Sequence, residues 1–265
     1  MTHLRSILIT LSLAPLFGCA TASDQTSKHQ ESLTLVDSER QRPVPIELYF
    51  PTNTGRCTLK RPCPVGLISA GYGMSHKSYS FVASSLNSLG YLAVSVQHEL
   101  PSDPPLSNTG DLVTVRTPAW KRGAENLRFV RESLTRSHPQ YDWQHLVLIG
   151  GSMGGDISSW LTRESPSFAA VVITLDHRRV PLPRGTSPRV LSIRASDFEA
   201  DAGVLPTTEE QRQSDTCIVK IDGARHNDMH DGGSAELKDK ISNFIERFLA
   251  NGSCGDADPA QGSPL

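Results

Sequence analysis

The sequence predicts an α/β fold: a mostly parallel β-sheet flanked by helices, with no large lid domain. Short apolar runs alternate with segments of helical periodicity, which is typical of successive β-α-β units. The chain has 265 residues, 37% of them hydrophobic, and this is enough for one sizeable core. We therefore predict a single α/β domain at residues 31–254.

The order of the elements follows from the apolar pattern. Extended segments at residues 33–36 and 44–50 begin the predicted sheet, and Pro45 suits an edge strand. Six further apolar runs predict the remaining strands: residues 65–69, 91–96, 145–149, 169–175, 189–193 and 217–221. Helical spacing marks residues 81–89, 120–134 and 237–248. Because the segment between the runs at 169–175 and 189–193 is short, we expect no large lid.

The first residues predict export. Residues 7–17 form an apolar run behind two basic residues, too short for a stable membrane-spanning helix. The run ends in Leu16-Phe17-Gly18-Cys19, which resembles the lipobox of bacterial lipoproteins. The resemblance implies a signal peptide at residues 1–18, lipidation (palmitate) of Cys19 and a tether over residues 19–30.

The same resemblance implies a location. Ala20 after the lipidated cysteine implies a membrane partner, with the protein at the periplasmic face of the outer membrane. The alternative is cleavage after the small-x-small run at residues 20–22, which would release a soluble periplasmic or secreted protein.

Charge and composition argue against nucleic acid and cofactors as further partners. Lys and Arg number 26 against 28 Asp and Glu, so no net positive field favours nucleic acid. No motif for a nucleotide, a metal or an organic cofactor stands out, and we expect no cofactor. The polar, Gly- and Pro-rich tail at residues 255–265 is predicted to be disordered.

Four cysteines remain after Cys19, an even number in a chain that we expect to reach an oxidising compartment. Three pairings are possible. Cys57 and Cys63 are close in sequence. The last helix runs antiparallel to the last strand and brings Cys254 back toward Cys217. We therefore favour these two pairs.

A glycine-rich turn carries the candidate nucleophile. The sequence Gly150-Gly151-Ser152-Met153-Gly154 matches G-x-S-x-G, the sharp strand-to-helix turn that exposes a serine hydroxyl. An apolar run precedes it and a helix-like segment follows, as this turn requires. The alternative is a glycine-rich turn with an inert serine.

A serine nucleophile needs a base and an orienting acid. His226 follows the last predicted strand and is the expected base, with His230 as its nearest rival. Asp197 follows the preceding strand and is the expected acid. Asp201 and Asp176 remain alternative acids. Residues 226–231 also hold two His and two Asp, but they lack the spacing of a zinc site.

The developing oxyanion needs fixed backbone donors. The N–H of Met153, directly after the nucleophile, is one candidate. The N–H of Tyr72 is the other, since Ala70-Gly71-Tyr72-Gly73 follows a predicted strand and its glycines allow close approach. Residues 100–108 and 178–184 are candidate rims of the pocket.

These features resemble the α/β-hydrolase superfamily over nearly the whole mature chain. Residues 42–51, together with Ser69-Ala70-Gly71-Tyr72-Gly73, resemble its dienelactone hydrolase and platelet-activating-factor-acetylhydrolase-like branch. That resemblance implies small esters or lactones as substrates, cleaved without a cofactor. Two departures are Ser69-Ala70-Gly71 where relatives often have His-Gly, and Gly151 where His is common.

The predicted function is hydrolysis of a carboxylic ester or lactone through Ser152, His226 and Asp197, with an acyl-enzyme intermediate. An amidase or peptidase with the same three residues is one alternative. A non-catalytic lipoprotein that keeps the fold for binding is the other.

Overall fold

Residues 29–252 and Cys254 are described in a computed structural model of the chain. The predicted signal peptide, Cys19 and the tail at residues 255–265 lie outside the described residues. So does most of the predicted tether.

Within the described part of the chain, eight strands form one sheet in the order β1-β2-β4-β3-β5-β6-β7-β8. The strands are β1 Gln30–Asp37, β2 Arg42–Tyr49, β3 Cys63–Ser69, β4 Leu92–Val96, β5 Tyr141–Gly151, β6 Ala169–Leu175, β7 Arg189–Arg194 and β8 Thr216–Lys220. β1 pairs with β2, and β2 with β4, in antiparallel fashion, whereas all further neighbours are parallel. The carboxyl ends of the six parallel strands therefore share one edge.

Helices cover both faces of this sheet. The helices are α1 Ser80–Ser88, α2 Leu112–Ser137, α3 Met153–Glu164, the short α4 Thr208–Gln213 and α5 Ala235–Asn251. α1 and α5 pack together on one face, and α2 and α3 pack together on the other. Successive strand residues serve opposite faces: Leu148 belongs to the core under α2 and α3, and Ile149 to the core under α1 and α5.

The helix ends follow from local chemistry. The Asp111 side chain accepts the N–H of Val113 at the start of α2, and Ser234 accepts the N–H of Leu237 at the start of α5. α5 ends at Asn251, and the φ of 73° at the following residue, Gly252, is the left-handed conformation that glycine adopts freely.

Two disulfides join Cys57 to Cys63 and Cys217 to Cys254, the two pairs that the sequence favours. The second ties the end of α5 to the start of β8. No helix of the described residues is long and apolar enough to cross a bilayer.

Candidate active site

The turn between β5 and α3 presents Ser152. Its φ of 48° and ψ of −116° are strained for a residue with a side chain, and they turn the hydroxyl away from the backbone. The turn has no room for other residues at two positions. A Cβ on Gly150 would lie 2.2 Å from the carbonyl carbon of Gly154, and a Cβ on Gly154 would lie 2.1 Å from the carbonyl oxygen of Ser69. The glycines of the pattern are therefore required by contact.

Tyr79 explains why glycine also precedes the serine. A Cβ on Gly151 would lie 1.9 Å from the Tyr79 hydroxyl, so this buried phenol occupies the space that a side chain would need. Burial raises the pKa of Tyr79 well above its ordinary value, and the hydroxyl stays protonated. Glycine stands at position 151, where His is common, because Tyr79 fills the space that a side chain there would need.

His226 bridges the serine and a carboxylate. It follows β8 and begins a short 3-10 turn, His226–Asp228. Its Nε2 lies 3.0 Å from the Ser152 hydroxyl oxygen, and its Nδ1 lies 2.6 Å from Oδ2 of Asp176. Because a carboxylate can only accept, Nδ1 carries the proton. Nε2 is then free to accept the proton of the serine.

Asp176, rather than Asp197, is the carboxylate at the imidazole, and this corrects the predicted acid. Asp176 follows β6, the direct neighbour of β5, whereas Asp197 follows β7, one strand further from Ser152. The φ of 51° at Asp176 turns its side chain along the strand ends toward His226.

The buried Asp176 is held ionised by its surroundings. Its Oδ1 accepts the N–H of Ala195 at 3.1 Å and lies 2.8 Å from Nη2 of the buried Arg194. Burial alone raises the pKa of Asp176, but the His226 hydrogen bond and the charge of Arg194 outweigh it and hold the pKa below the ordinary value.

Of the two other candidate acids, Asp197 binds a backbone N–H and Asp201 binds an arginine of the predicted rim at residues 178–184. Oδ1 of Asp197 accepts the backbone N–H of His226 at 2.8 Å, so it holds the loop that carries the imidazole. Asp201 pairs with Arg179 at 2.8 Å. One sequence signal for the carboxylate at the imidazole was missed: Arg194 ends β7 directly after the apolar Ile193, and a cation at that place requires a carboxylate partner at the same sheet edge.

The predicted oxyanion loop lies against the nucleophile. A Cβ on Gly71 would be 3.4 Å from the Cβ of Ser152. On the other side, Met153 is the first residue of α3, where backbone N–H groups have no acceptor within the helix. The Tyr72 hydroxyl accepts the N–H of Leu106, so its side chain is anchored to the predicted rim at residues 100–108.

A buried histidine supports this loop from below, and sequence reasoning missed it. Nε2 of His98 is 2.8 Å from the hydroxyl of Ser69, the last residue of β3. The backbone oxygen of His98 accepts from Arg42, which is paired with Asp103 at 2.6 Å. Burial, with the nearby charge of Arg42, lowers the pKa of His98 to about 3, and the imidazole is neutral. A polar network thus holds the last residue of β3, directly before the predicted oxyanion loop.

A cleft of about 370 Å³ opens over Ser152. Eleven residues line it: Gly71, Tyr72, Met74, Tyr79, Ser152, Leu175, Arg178, His226, Asn227, Met229 and His230. A larger cleft of about 540 Å³, around Arg40 and Pro118, contains none of these residues. Among the described residues, no three His, Cys, Asp or Glu groups gather as a metal site would require.

Solved structures share this architecture. A ferulic acid esterase from Streptomyces cinnamoneus superposes with a TM-score of 0.63 over 89% of this chain and 93% of its own, at 19% identity. Thermogutta terrifontis esterase 2, phosphorylated by paraoxon, gives 0.59 over 83% and 93%, at 13% identity. Dienelactone hydrolase from Anabaena variabilis gives 0.54 over 83% and 98%, at 16% identity.

These similarities show the fold. The chain has the α/β-hydrolase fold, without a large lid among its described residues, as the sequence predicts. No protein-family model and no curated protein sequence matches it.

Proposed function

We propose that this protein is a serine hydrolase that cleaves carboxylic esters through Ser152, His226 and Asp176. The observation that carries the proposal is the continuous hydrogen-bonded chain from the serine hydroxyl through both imidazole nitrogens to a buried carboxylate. A serine acts as a nucleophile only when a base within hydrogen-bond reach removes its proton, and this chain supplies that base.

The mechanism follows from the proton positions. The Ser152 oxygen attacks the ester carbonyl carbon while its proton passes to Nε2 of His226. Asp176, held ionised, stabilises the imidazolium that forms. The backbone N–H groups of Met153 and Tyr72 are our proposed donors to the tetrahedral oxyanion.

Breakdown of this intermediate uses the same proton. Nε2 of His226 gives it to the departing alkoxide, the alcohol leaves, and Ser152 is acylated. A water molecule then loses a proton to Nε2 and attacks the acyl carbon. Collapse of the second tetrahedral intermediate releases the carboxylic acid and returns the proton to Ser152. No cofactor is needed in this cycle.

Ester cleavage is favoured over amide cleavage because the structural neighbours named above include two esterases and a dienelactone hydrolase. The experiment compares p-nitrophenyl acetate with p-nitroacetanilide, for the natural chain and Ser152→Ala. We expect ester turnover that Ser152→Ala reduces by a factor of roughly 10⁴ or more, and little anilide turnover. Faster anilide cleavage would establish an amidase. Equal rates of ester hydrolysis for the natural chain and Ser152→Ala would exclude catalysis by Ser152 and would favour a non-catalytic binding protein.

We also propose that the protein is exported and anchored through a lipid on Cys19. The two disulfides support this, because disulfides persist in oxidising compartments. In a Gram-negative host, the full chain should incorporate a clickable palmitate and fractionate with membranes, and Cys19→Ser should do neither. An unlabelled, soluble natural chain would establish the alternative cleavage at residues 20–22.

A further inference from the structure

A second cleft, of about 540 Å³, lies apart from the one over Ser152. It opens between the turn from β1 to β2, the loop after β4 and helix α2, and its size is typical of small-molecule sites. Ten residues line it: Arg40, Gln41, Arg42, Pro43, Leu100, Ser102, Pro118, Lys121, Arg122 and Glu125. Four of them are cations and one is a carboxylate. The cleft is therefore basic, although the whole chain has a formal net charge of −2.

Ion pairs fix the two arginines at the turn from β1 to β2. Nε of Arg40 lies 2.6 Å from Asp37, and its Nη1 lies 3.2 Å from Glu125. Nη2 of Arg42 lies 2.6 Å from Oδ2 of Asp103. Carboxylates thus hold and neutralise both guanidinium groups, which form one fixed wall of the cleft.

The two cations on α2 are not neutralised in the same way. Lys121 forms no ion pair among the described residues, and its ammonium lies 5.7 Å from the ring centroid of Trp160. Nε of Arg122 lies 3.4 Å from Oδ2 of Asp103 without a hydrogen bond, and this oxygen already binds Arg42. The two terminal nitrogens of Arg122 have no acceptor in the described part of the chain. Positive charge and unused donors therefore remain on this side of the cleft.

Gln41 adds an amide to the cleft, and its backbone is strained. Its φ is 51°, and in the described chain the only other non-glycine residues with a positive φ are Ser152 and Asp176. Glycine would adopt this conformation without strain, and such strain is concentrated at functional sites. The exposed Gln41 amide forms no hydrogen bond with any described residue. A glutamine at this position is explained if its side chain binds a ligand in the cleft.

The remaining lining residues supply a hydroxyl and apolar surface. The hydroxyl of the exposed Ser102 has no partner among the residues that the structure describes. The apolar surface comes from Pro43, Leu100 and Pro118. Because Arg40 engages the one lining carboxylate, the unengaged groups of the cleft are dominated by hydrogen-bond donors. A matching ligand has a negative charge, several acceptor oxygens and a carbon part.

From this arrangement we infer that the cleft binds an organic phosphate, whose phosphoryl oxygens accept from Lys121, Arg122 and Gln41. A phosphoryl group offers more acceptor oxygens than a carboxylate, and it suits both the point charge of an ammonium and the fork of a guanidinium. Its carbon part lies against the apolar lining residues. The phosphoryl group belongs either to a soluble monoester or to the headgroup of an anionic phospholipid, and the test distinguishes the two sources.

This site is separate from the catalytic one. None of its ten lining residues lines the cleft over Ser152. Binding of a phosphate here requires neither ester hydrolysis nor the serine, so Ser152→Ala should bind it as the natural chain does. Failure of the proposed function therefore leaves this inference standing, and failure of this inference leaves the function standing.

Titration calorimetry with phenyl phosphate measures the affinity of the natural chain, Arg122→Gln, Lys121→Gln and the control Arg131→Gln. Arg131 lies on the same helix but outside the cleft, and its replacement changes the net charge equally. We expect one saturable site in the natural chain. Its dissociation constant should rise about tenfold to a hundredfold in Arg122→Gln, which loses charge-assisted hydrogen bonds, and less in Lys121→Gln. Absence of saturable binding, or equal weakening by Arg131→Gln, would overturn the inference.

Two further measurements test where the phosphate binds. In NMR spectra of the natural chain, phenyl phosphate should shift the backbone amide signals of Gln41, Leu100 and Lys121, and shifts confined to the surroundings of Ser152 would contradict the inference. Gln41→Gly should weaken binding by about twofold to tenfold while the urea midpoint stays unchanged or rises, because glycine relieves the positive φ. An unchanged affinity would overturn the assignment of Gln41 to the site.

The source of the phosphate is identified by the same titration with glycerophosphoglycerol, the deacylated headgroup of phosphatidylglycerol. This diester carries one negative charge, whereas a phosphate monoester carries nearly two above its second pKa of about 6. Because two cations are unengaged, we expect phenyl phosphate to bind more tightly, which supports a soluble monoester. Tighter binding of the diester would support a lipid headgroup at the same site. Failure of both compounds to bind would overturn the inference.

Discussion

Replacing Asp176 with Asn has a consequence that follows from the hydrogen bonds around it. The Ala195 N–H donates to Oδ1, and the positively charged guanidinium of Arg194 lies 2.8 Å from the same atom, so the amide oxygen of an asparagine keeps that position. Its NH₂ group then takes the place of Oδ2, facing Nδ1 of His226. Two donors cannot face each other, so the imidazole proton moves to Nε2. The ring then donates to Ser152 and is no longer able to take its proton.

The expected loss in kcat is about 10⁴, the effect of the wrong tautomer in a Ser-His-Asp triad, or about 5.4 kcal/mol in activation free energy. Asp197→Asn is the matched control. Its amide oxygen still accepts the backbone N–H of His226. Exchange of a charged acceptor for a neutral one weakens this hydrogen bond by about 1 kcal/mol, so kcat should fall by at most roughly fivefold.

Both variants are assayed for hydrolysis of p-nitrophenyl acetate under saturating conditions, with circular dichroism to establish that each is folded. The reasoning would be refuted by Asp197→Asn losing more activity than Asp176→Asn. It would also be refuted if Asp176→Asn kept kcat within tenfold of the natural chain.

Three further predictions concern buried groups. Arg194→Met leaves Asp176 buried without its cation, so the free energy of unfolding in urea should fall by about 3–5 kcal/mol, and an unchanged midpoint would contradict this. Burial raises the pKa of Asp156 to about 6 from 3.8. The folded state therefore binds more protons than the unfolded state between these values, and this carboxyl reduces stability as pH rises from 4 to 6. Between pH 4 and pH 7 the free energy of unfolding of Asp156→Asn should rise by up to about 3 kcal/mol relative to that of the natural chain. A difference in unfolding free energy that stays constant over this pH range would contradict the prediction. Gly151→Ala forces its methyl group into the Tyr79 hydroxyl and should cost about 1–3 kcal/mol of stability together with activity, a result that unaltered kcat and urea midpoint would contradict.

The strands and the nucleophile turn could be predicted because their signals are local. Each parallel strand contains a short apolar run. Four of the six predicted runs lie within strands of the observed sheet, and the runs at 91–96 and 217–221 each extend one residue beyond their strand. The turn at Ser152 follows one such run, and its glycines are required by backbone contacts. The lengths were less accurate, since β5 begins at Tyr141 and α2 at Leu112, earlier than the apolar patterns indicate.

The acid could not be chosen from the sequence because its position depends on tertiary contacts. Three carboxylates follow strands at the same sheet edge. Which one meets His226 is decided by a positive φ at Asp176, by the buried Arg194 beside it, and by the capture of Asp197 by a backbone N–H. Tyr79 was missed for a similar reason, since it is distant in sequence from the glycine whose missing side chain it replaces.

The central claim is that His226 and Asp176 activate Ser152, and covalent labelling with a fluorophosphonate probe tests it most directly. Intact mass and peptide mapping are measured for the natural chain, Ser152→Ala and Asp176→Asn. We predict one adduct, on Ser152, with none on Ser152→Ala and labelling slowed by orders of magnitude in Asp176→Asn. A folded natural chain that stays unlabelled, or an adduct on another residue, would contradict the account.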